Sequence, residues 1–326
     1  MSSSPQRIKL AFVALVACLI SPYIFASNVS SGLSALEVEM GAQQKKELEL
    51  DYPLSNLHLE ESGVIWLVGA KNLWRWVPHL KKLSRISIEN GNKAKFLSSV
   101  FTERVIYILS TESVLLIEKS SASVQTIKLP SDYLSAHQLL GVSEKNFWVI
   151  GHDAKHLKYS FNSREWQSFT ADAQQKFDYV EIDTDSEVLW FAKGGQITTL
   201  DLKSNLVRVI LDAKHDIYDL KIQDAAVVAH TPYALIRYDL AGKLMQVIPV
   251  KGKRRLLKMD LNKDTHAYLF SDRLLETYKL PEKKLERYRL NFEKAKYAKS
   301  FQTSKNSVAL LIDGNPRYFE LAKAAL

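Results

Sequence analysis

Leu57-His58-Leu59-Glu60, Val64-Ile65-Trp66-Leu67-Val68, Leu73-Trp74-Arg75-Trp76-Val77 and Leu83-Ser84-Arg85-Ile86-Ser87-Ile88 follow one another almost without interruption. The joints carry Ser62-Gly63, Gly69-Ala70-Lys71-Asn72 and Pro78-His79-Leu80-Lys81-Lys82. Short runs rich in branched and aromatic residues, separated by turn formers, are the pattern of a meandering antiparallel sheet.

Working outward, the pattern repeats. Aligning the second run of each unit puts Trp66, Tyr107, Trp148, Trp190, Val228, Tyr268 and Leu310 at intervals of 41, 41, 42, 38, 40 and 42. A third run follows each, from Leu73–Val77 and Val114–Glu118 to Leu274–Leu280 and Arg317–Leu321. Fourth runs close six units, from Leu83–Ile88 to Leu285–Leu290. A period near 40 with four strands per unit predicts an all-β, seven-bladed β-propeller of four-stranded antiparallel blades. One such blade is apolar on both faces and buries them only by stacking on two neighbours. The large residues of the second runs are therefore expected in the core between blades rather than in a ligand cage.

The seventh unit stops after its third run, at Leu321. Glu47-Leu48-Glu49-Leu50-Asp51-Tyr52 alternates like a strand. It is expected to add as the missing outer strand, so that an N-terminal strand closes the last blade and covers its edge. A count of six or eight follows if the fifth unit, without an aromatic in its second run, is misread.

Val64 to Gly69 with Leu73-Trp74-Arg75-Trp76 resembles the repeat of bacterial two-component-regulator propellers, and Phe147–Gly151 and Val188–Ala192 echo it. Ile197–Asp201 and Leu235–Asp239 resemble third strands of WD40-like and quinoprotein-type repeats. The resemblance implies the fold over Asp51–Leu321 and says little about function. The chain departs from both patterns: regular Trp-Asp pairs, repeated Gly-His and a terminal Trp per repeat are missing. Neither a true WD40 protein nor a quinone-dependent dehydrogenase is implied. No kinase or DNA-binding region follows in this sequence, so a one-chain sensor regulator is not expected.

Residues 1–26 read as a signal peptide. Arg7 and Lys9 precede the apolar Leu10–Ile20, Pro22 breaks it, and Ala26-Ser27 offers a cleavage point. Two alternatives stand: a lipoprotein anchored at Cys18, from Leu15-Val16-Ala17-Cys18, or an uncleaved anchor that brings the protein close to the membrane. Residues 27–46, rich in Ser, Ala, Gln and Lys, read as a tether, and residues 47–326 as the propeller domain. Cys18 is the single cysteine, so an intramolecular disulfide and a cysteine metal site are both excluded. These features fit a periplasmic or otherwise exported bacterial protein. With 46% hydrophobic and 25% charged residues the 326-residue chain is globular. A net charge of +8 hints at an acidic partner.

Linear motifs for catalysis are not found: the sequence has no Gly-x-Ser-x-Gly elbow, phosphate loop or Gly-x-Gly-x-x-Gly. His152-Asp153-Ala154-Lys155-His156 lacks a third metal ligand and reads as a solvated turn. Asp260-x-Asn262-x-Asp264 starts like a calcium loop, but Thr265 and Ser271 stand where glycine and glutamate are needed. Asp183–Glu187 reads as an exposed acidic turn. No cofactor is expected.

The basic runs carry the strongest binding signal. Lys251, Lys253, Arg254 and Arg255 join the fifth and sixth units, and Lys294, Lys296 and Tyr297 enter the seventh. Both links run from an outer strand to the next inner strand, on the funnel face. They are the candidate contacts of a non-enzymatic scaffold, monomeric within a complex, that takes an envelope protein or an anionic polymer. Nucleic acid is not expected in an exported protein without a recognition motif. The alternatives are a polysaccharide-acting or other hydrolytic enzyme, which needs carboxylates converging at the funnel mouth, and a sensing module for a separate membrane receptor.

Overall fold

The computed structural model describes residues 29–51, 53–86, 88, 95–152, 155–170, 177–212, 215–223, 225–249, 255–261, 265–279, 284–292, 298–312 and 314–321. Blade 1 comprises Asn56–Leu59, Ile65–Val68, Leu73–Val77 and Lys82–Ile86. Blade 2 comprises Phe96–Phe101, Val105–Ser110, Ser113–Glu118 and Val124–Lys128. Blade 3 comprises Ala136–Leu140, Asn146–Gly151, Lys155–Ser160 and Glu165–Thr170. Blade 4 comprises Tyr179–Asp183, Val188–Lys193, Gln196–Asp201 and Leu206–Asp212. Blade 5 comprises Asp219–Gln223, Ala226–His230, Ala234–Asp239 and Leu244–Pro249. Blade 6 comprises Leu256–Leu261, Thr265–Phe270, Leu274–Lys279 and Lys284–Arg289. Blade 7 takes Ala298–Thr303, Ser307–Ile312 and Asn315–Leu321. The seven-bladed propeller expected from the period is the fold.

The second strands supply the core, as their apolar runs require. Trp66, Tyr107, Trp148, Trp190 and Leu310 are all buried, while Val228 and Tyr268 are partly buried. Each apolar cluster spans two blades. Trp66 packs with Ile106, Ile108 and Leu115 of blade 2, and Trp148 with Val180, Leu189 and Phe191 of blade 4.

Ring closure uses a different segment from the one expected. The outer position of blade 7 is filled by Val29–Glu37, antiparallel to Asn315–Leu321 through Ala35↔Leu321 and Glu37↔Phe319. The same strand runs parallel to the outer strand of blade 6, with Val29↔Leu285 and Leu33↔Tyr288, so blades 6 and 7 share one eight-stranded sheet. The region read as a tether thus holds the closing strand. Glu47–Asp51 does not, since Ala42–Glu49 is a helix, and Tyr52 lies outside the described residues. Ala, Gln, Lys, Leu and Glu are strong helix formers, and their propensity overrides the alternation seen at Glu47–Asp51. Leu48 plugs the seam between blades 7 and 1 with Leu54, Leu57, Trp76, Ala309, Leu311 and Tyr318.

The links from outer to next inner strand share one face with the turns between second and third strands. Phe96 N bonds Ala70 O at 2.9 Å, Ile217 N bonds Gly194 O at 2.7 Å, and Ser271 N bonds Arg255 O at 2.8 Å. This is the upper face below.

Candidate functional site

The inner strands alternate. In blade 1, Asn56 and His58 stay accessible while Leu57 and Leu59 are buried; in blade 4, Tyr179 and Glu181 alternate with buried Val180 and Ile182. With a side-chain period of two, apolar residues enter the seams and polar ones reach the axis.

A hydrogen bond from an inner strand crosses every seam of the ring. Asn56 Nδ2 donates to Ser99 Oγ at 3.0 Å, Leu139 N to Ser98 Oγ at 3.3 Å, and Gln138 Nε2 to Val180 O at 3.5 Å. Lys221 Nζ meets Glu181 Oε1 at 3.1 Å, and Lys258 Nζ meets Asp219 Oδ2 at 2.8 Å. Asp260 Oδ2 accepts from Thr303 N at 2.7 Å and Thr303 Oγ1 at 2.8 Å. Ser300 Oγ donates to Asn56 Oδ1 at 3.0 Å.

Blades 4 to 6 concentrate charge on this axis. Burial holds the Glu181 and Asp260 carboxyls above their usual range. Asp219 is the more buried by surface area, but Lys258 and then Lys221 outweigh that burial and hold its carboxyl low. Lys221 is pushed up, chiefly by Glu181. Its side chain keeps about half its surface (48%). Lys258 Nζ also lies 5.6 Å from the Tyr179 ring, and burial with Asp219 nearby pushes the Tyr179 hydroxyl up to about 12.

Above this ladder lies an aromatic and basic group on the upper face. The Arg255 guanidinium sits over the Tyr218 ring at 4.8 Å. His215 packs edge-on against Tyr233 at 4.8 Å, and Tyr233 is 55% exposed. Tyr218 and His215 come from the link entering blade 5, Tyr233 from its second-to-third turn, and Arg255 from the link entering blade 6. Tyr218 directly precedes Asp219, so the surface group lies at the start of the blade 5 inner strand.

Of the residues singled out in the sequence, Arg255 is exposed and on the expected face. Lys251, Lys253, Arg254, Lys294, Lys296 and Tyr297 lie outside the described residues, as do Asn262 and Asp264 of the calcium-like spacing. His156 is not in a solvated turn: it is fully buried, opposite Ile150 and 6.2 Å from the Phe191 ring. His152 is exposed and meets His137, with ring centroids 3.7 Å apart; both pack on Phe177. Burial, reinforced by His152, pushes His137 down to about 4. The acidic turn is also more than exposed charge. Asp183 is buried and accepts from Asp185 N at 3.2 Å, and Glu187 pairs with Lys158 of blade 3.

Sequence reasoning missed the axial ladder and Tyr218, Tyr233 and His215. The ladder had a signal, the alternation in Asn-Leu-His-Leu, Tyr-Val-Glu-Ile-Asp and Asp-Leu-Lys-Ile just before each second strand.

No family model and no curated protein matches the chain. Solved structures do match in fold. The Pan2 WD40 domain of Neurospora crassa superposes with a TM-score of 0.66 at 15% identity, over 92% of this chain and 98% of that one. YCF48 bound to D1 peptide gives 0.65 at 9% identity, over 92% and 99%. The extracellular domain of BT4673 from B. thetaiotaomicron, described as a one component system, gives 0.59 at 11% identity, over 90% of this chain and 41% of that one. At these identities the likeness is one of fold, and it agrees with the propeller resemblance read from the repeats.

Proposed function

We propose that the chain is a non-enzymatic interaction scaffold of the bacterial periplasm or cell envelope, which takes an acidic segment of a partner protein on its upper face. The observation that carries this reading is the aromatic and basic group of exposed Tyr233, His215 and Arg255, with half-buried Tyr218 under the Arg255 guanidinium. Tyr and Arg are the residues enriched at protein-binding hot spots, because each combines a large contact area with polar anchoring. The sequence adds Lys251, Lys253 and Arg254 immediately before Arg255. A peptide-bound propeller among the structural neighbours supports a polypeptide partner. Export rests on the apolar Leu10–Ile20 behind Arg7 and Lys9, with anchoring at Cys18 as the alternative.

A hydrolytic reading needs carboxylates free to exchange protons with a substrate. Here Glu181 is held by Lys221, Asp219 by Lys258 and Asp260 by Thr303, which favours a structural role for the channel charges.

The test is affinity capture from envelope extracts by the wild type, by Lys253→Glu/Arg254→Glu/Arg255→Glu and by Tyr233→Ala. The same partner should be lost from both variants while their melting curves stay unchanged. Equal recovery by all three proteins would remove this face from consideration.

A further inference from the structure

The outer strands differ sharply around the rim. Those of blades 1 to 3 are polar, with Lys82 and Arg85, Gln125 and Lys128, and Glu165 and Gln167. The outer strands of blades 4 and 5 read Leu-Val-Arg-Val-Ile-Leu-Asp and Leu-Met-Gln-Val-Ile-Pro. Leu206, Val207, Val209, Leu244, Met245, Val247 and Ile248 are each 39 to 61% exposed. The turn that leads into the blade 5 strand touches the blade 4 strand, since a Cβ at Gly242 would meet Ile210 at 2.5 Å.

Three observations decide what this surface takes. First, the apolar side chains lie on both faces of each strand. Val247 stands opposite Ile236, which packs toward blade 4, and Ile248 opposite Leu235, which packs toward blade 6. A ligand pressed into one groove would use only one face. Second, among the described residues both strands end their sheets, so one side of each carries backbone donors and acceptors without a strand partner. Covering such groups without pairing them is unfavourable, which disfavours a lipid surface and favours another backbone. Third, the next outer strand around the ring, in blade 6, already accepts an added strand: Val29–Glu37 pairs parallel to it. Strand addition at the rim is thus a mode this protein uses on itself.

We propose that the outer edge of blade 5, Leu244–Pro249, flanked by that of blade 4, is a docking site for an extended segment of another protein. The segment pairs as a fifth strand and carries uncharged, apolar residues on both faces over about five or six positions. The strand Leu244–Pro249 itself has no charged residue to deter such pairing.

The experiment selects a displayed library of 12-residue peptides against the full chain, and against Val247→Lys/Ile248→Lys as counter-target. Enriched peptides should carry apolar residues at consecutive positions, lose at least tenfold in affinity on the variant, and lose as much when their alternate backbone amides are N-methylated. Amide exchange within Leu244–Pro249 should slow on binding. Peptides that bind the variant equally, or that tolerate N-methylation, would overturn strand addition. So would sedimentation showing that the rim is consumed by self-association, with the Lys variant monomeric, or flotation of the wild type but not the variant with vesicles. The variant's substitutions are on the exposed rim, and an unchanged melting curve verifies that it folds.

Discussion

Trp74 Nε1 donates to Asp51 Oδ2 at 2.9 Å, and with that bond the residue after the C-cap of the N-terminal helix is locked into blade 1. The same carboxylate accepts from Asn72 N at 3.1 Å and Lys71 N at 3.0 Å, and Asp51 O accepts from Ala70 N at 3.2 Å. Asp51 and Trp74 are both buried. A Cβ at position 69 would stand 1.8 Å from Asp51 Oδ2, which explains the glycine there. Asp51→Ala leaves buried donors without acceptors, at about 1–3 kcal/mol each, so a loss of roughly 2–4 kcal/mol is expected in urea unfolding. Gly69→Ala should be destabilising for the converse reason, a methyl group in the carboxylate's place. A loss below about 0.5 kcal/mol for Asp51→Ala, the scale of an ordinary surface change, would show that the latch is ornamental.

Closure of the ring predicts a second outcome. Val29–Glu37 pairs on both sides, and Arg317 Nη1 meets Glu37 Oε1 at 2.8 Å across the joint. Deleting Val29–Glu37 opens the edges of Asn315–Leu321 and Lys284–Arg289 together, and unpaired edges promote association. The deleted protein should melt earlier and elute as larger species in size-exclusion chromatography. A monomer with wild-type melting would mean that the ring closes without this strand.

What could be read in the sequence follows from what determines each element. The second strands announce themselves because a blade's middle must be apolar on both faces, and Ile65-Trp66-Leu67-Val68 has no other reading. The closing strand could not be read. Val-Ser-Ser-Gly-Leu-Ser-Ala-Leu-Glu has small residues and a glycine, and it is a strand because two open edges lie on either side of it. Arg255 could be placed on the upper face, since its position follows from strand order. Its stacking on Tyr218 depends on two neighbouring blades and has no trace in linear spacing.

Acid should expose the buried histidines. His230 is fully buried, its Nε2 lies 3.3 Å from Leu256 O, and burial pushes it down to about 4 despite the opposing charge of Asp219. With an unfolded value near 6.5, the unfolded chain binds more protons between pH 6.5 and about 4. Stability therefore falls as pH drops through that window, by about 2 kcal/mol from this residue between pH 7 and 4.5. His58 and His137, also pushed down to about 4 by burial, act in the same direction. Glu181 and Asp260 act oppositely: their raised values favour the folded state at low pH, and that contribution is lost as pH rises through them. His230→Gln isolates one member of this sum. Its pH 7 to 4.5 loss in denaturant unfolding should be about 2 kcal/mol smaller than the wild type's, and equal losses would contradict the assignment.

The pair Asp219–Lys258 joins blades 5 and 6 at 2.8 Å, with side-chain exposures of 6% and 17%. Lys258→Ala removes the larger of the two cationic influences on Asp219 and leaves a buried carboxylate in the field of Glu181 and Asp260 on the neighbouring blades. Breaking a buried pair from one side costs about 3–5 kcal/mol, more than the net worth of the intact pair. The double change Asp219→Asn/Lys258→Met removes both charges and should recover most of that loss. A double-mutant cycle in urea would then give a coupling of roughly 1–3 kcal/mol. Lys221, which also faces Asp219, limits the single-mutant cost, so Lys258→Ala should be the milder lesion beside Lys258→Ala/Lys221→Ala. If the two single changes at 219 and 258 simply add, the ladder is a row of independent solvated charges and not a joint between blades.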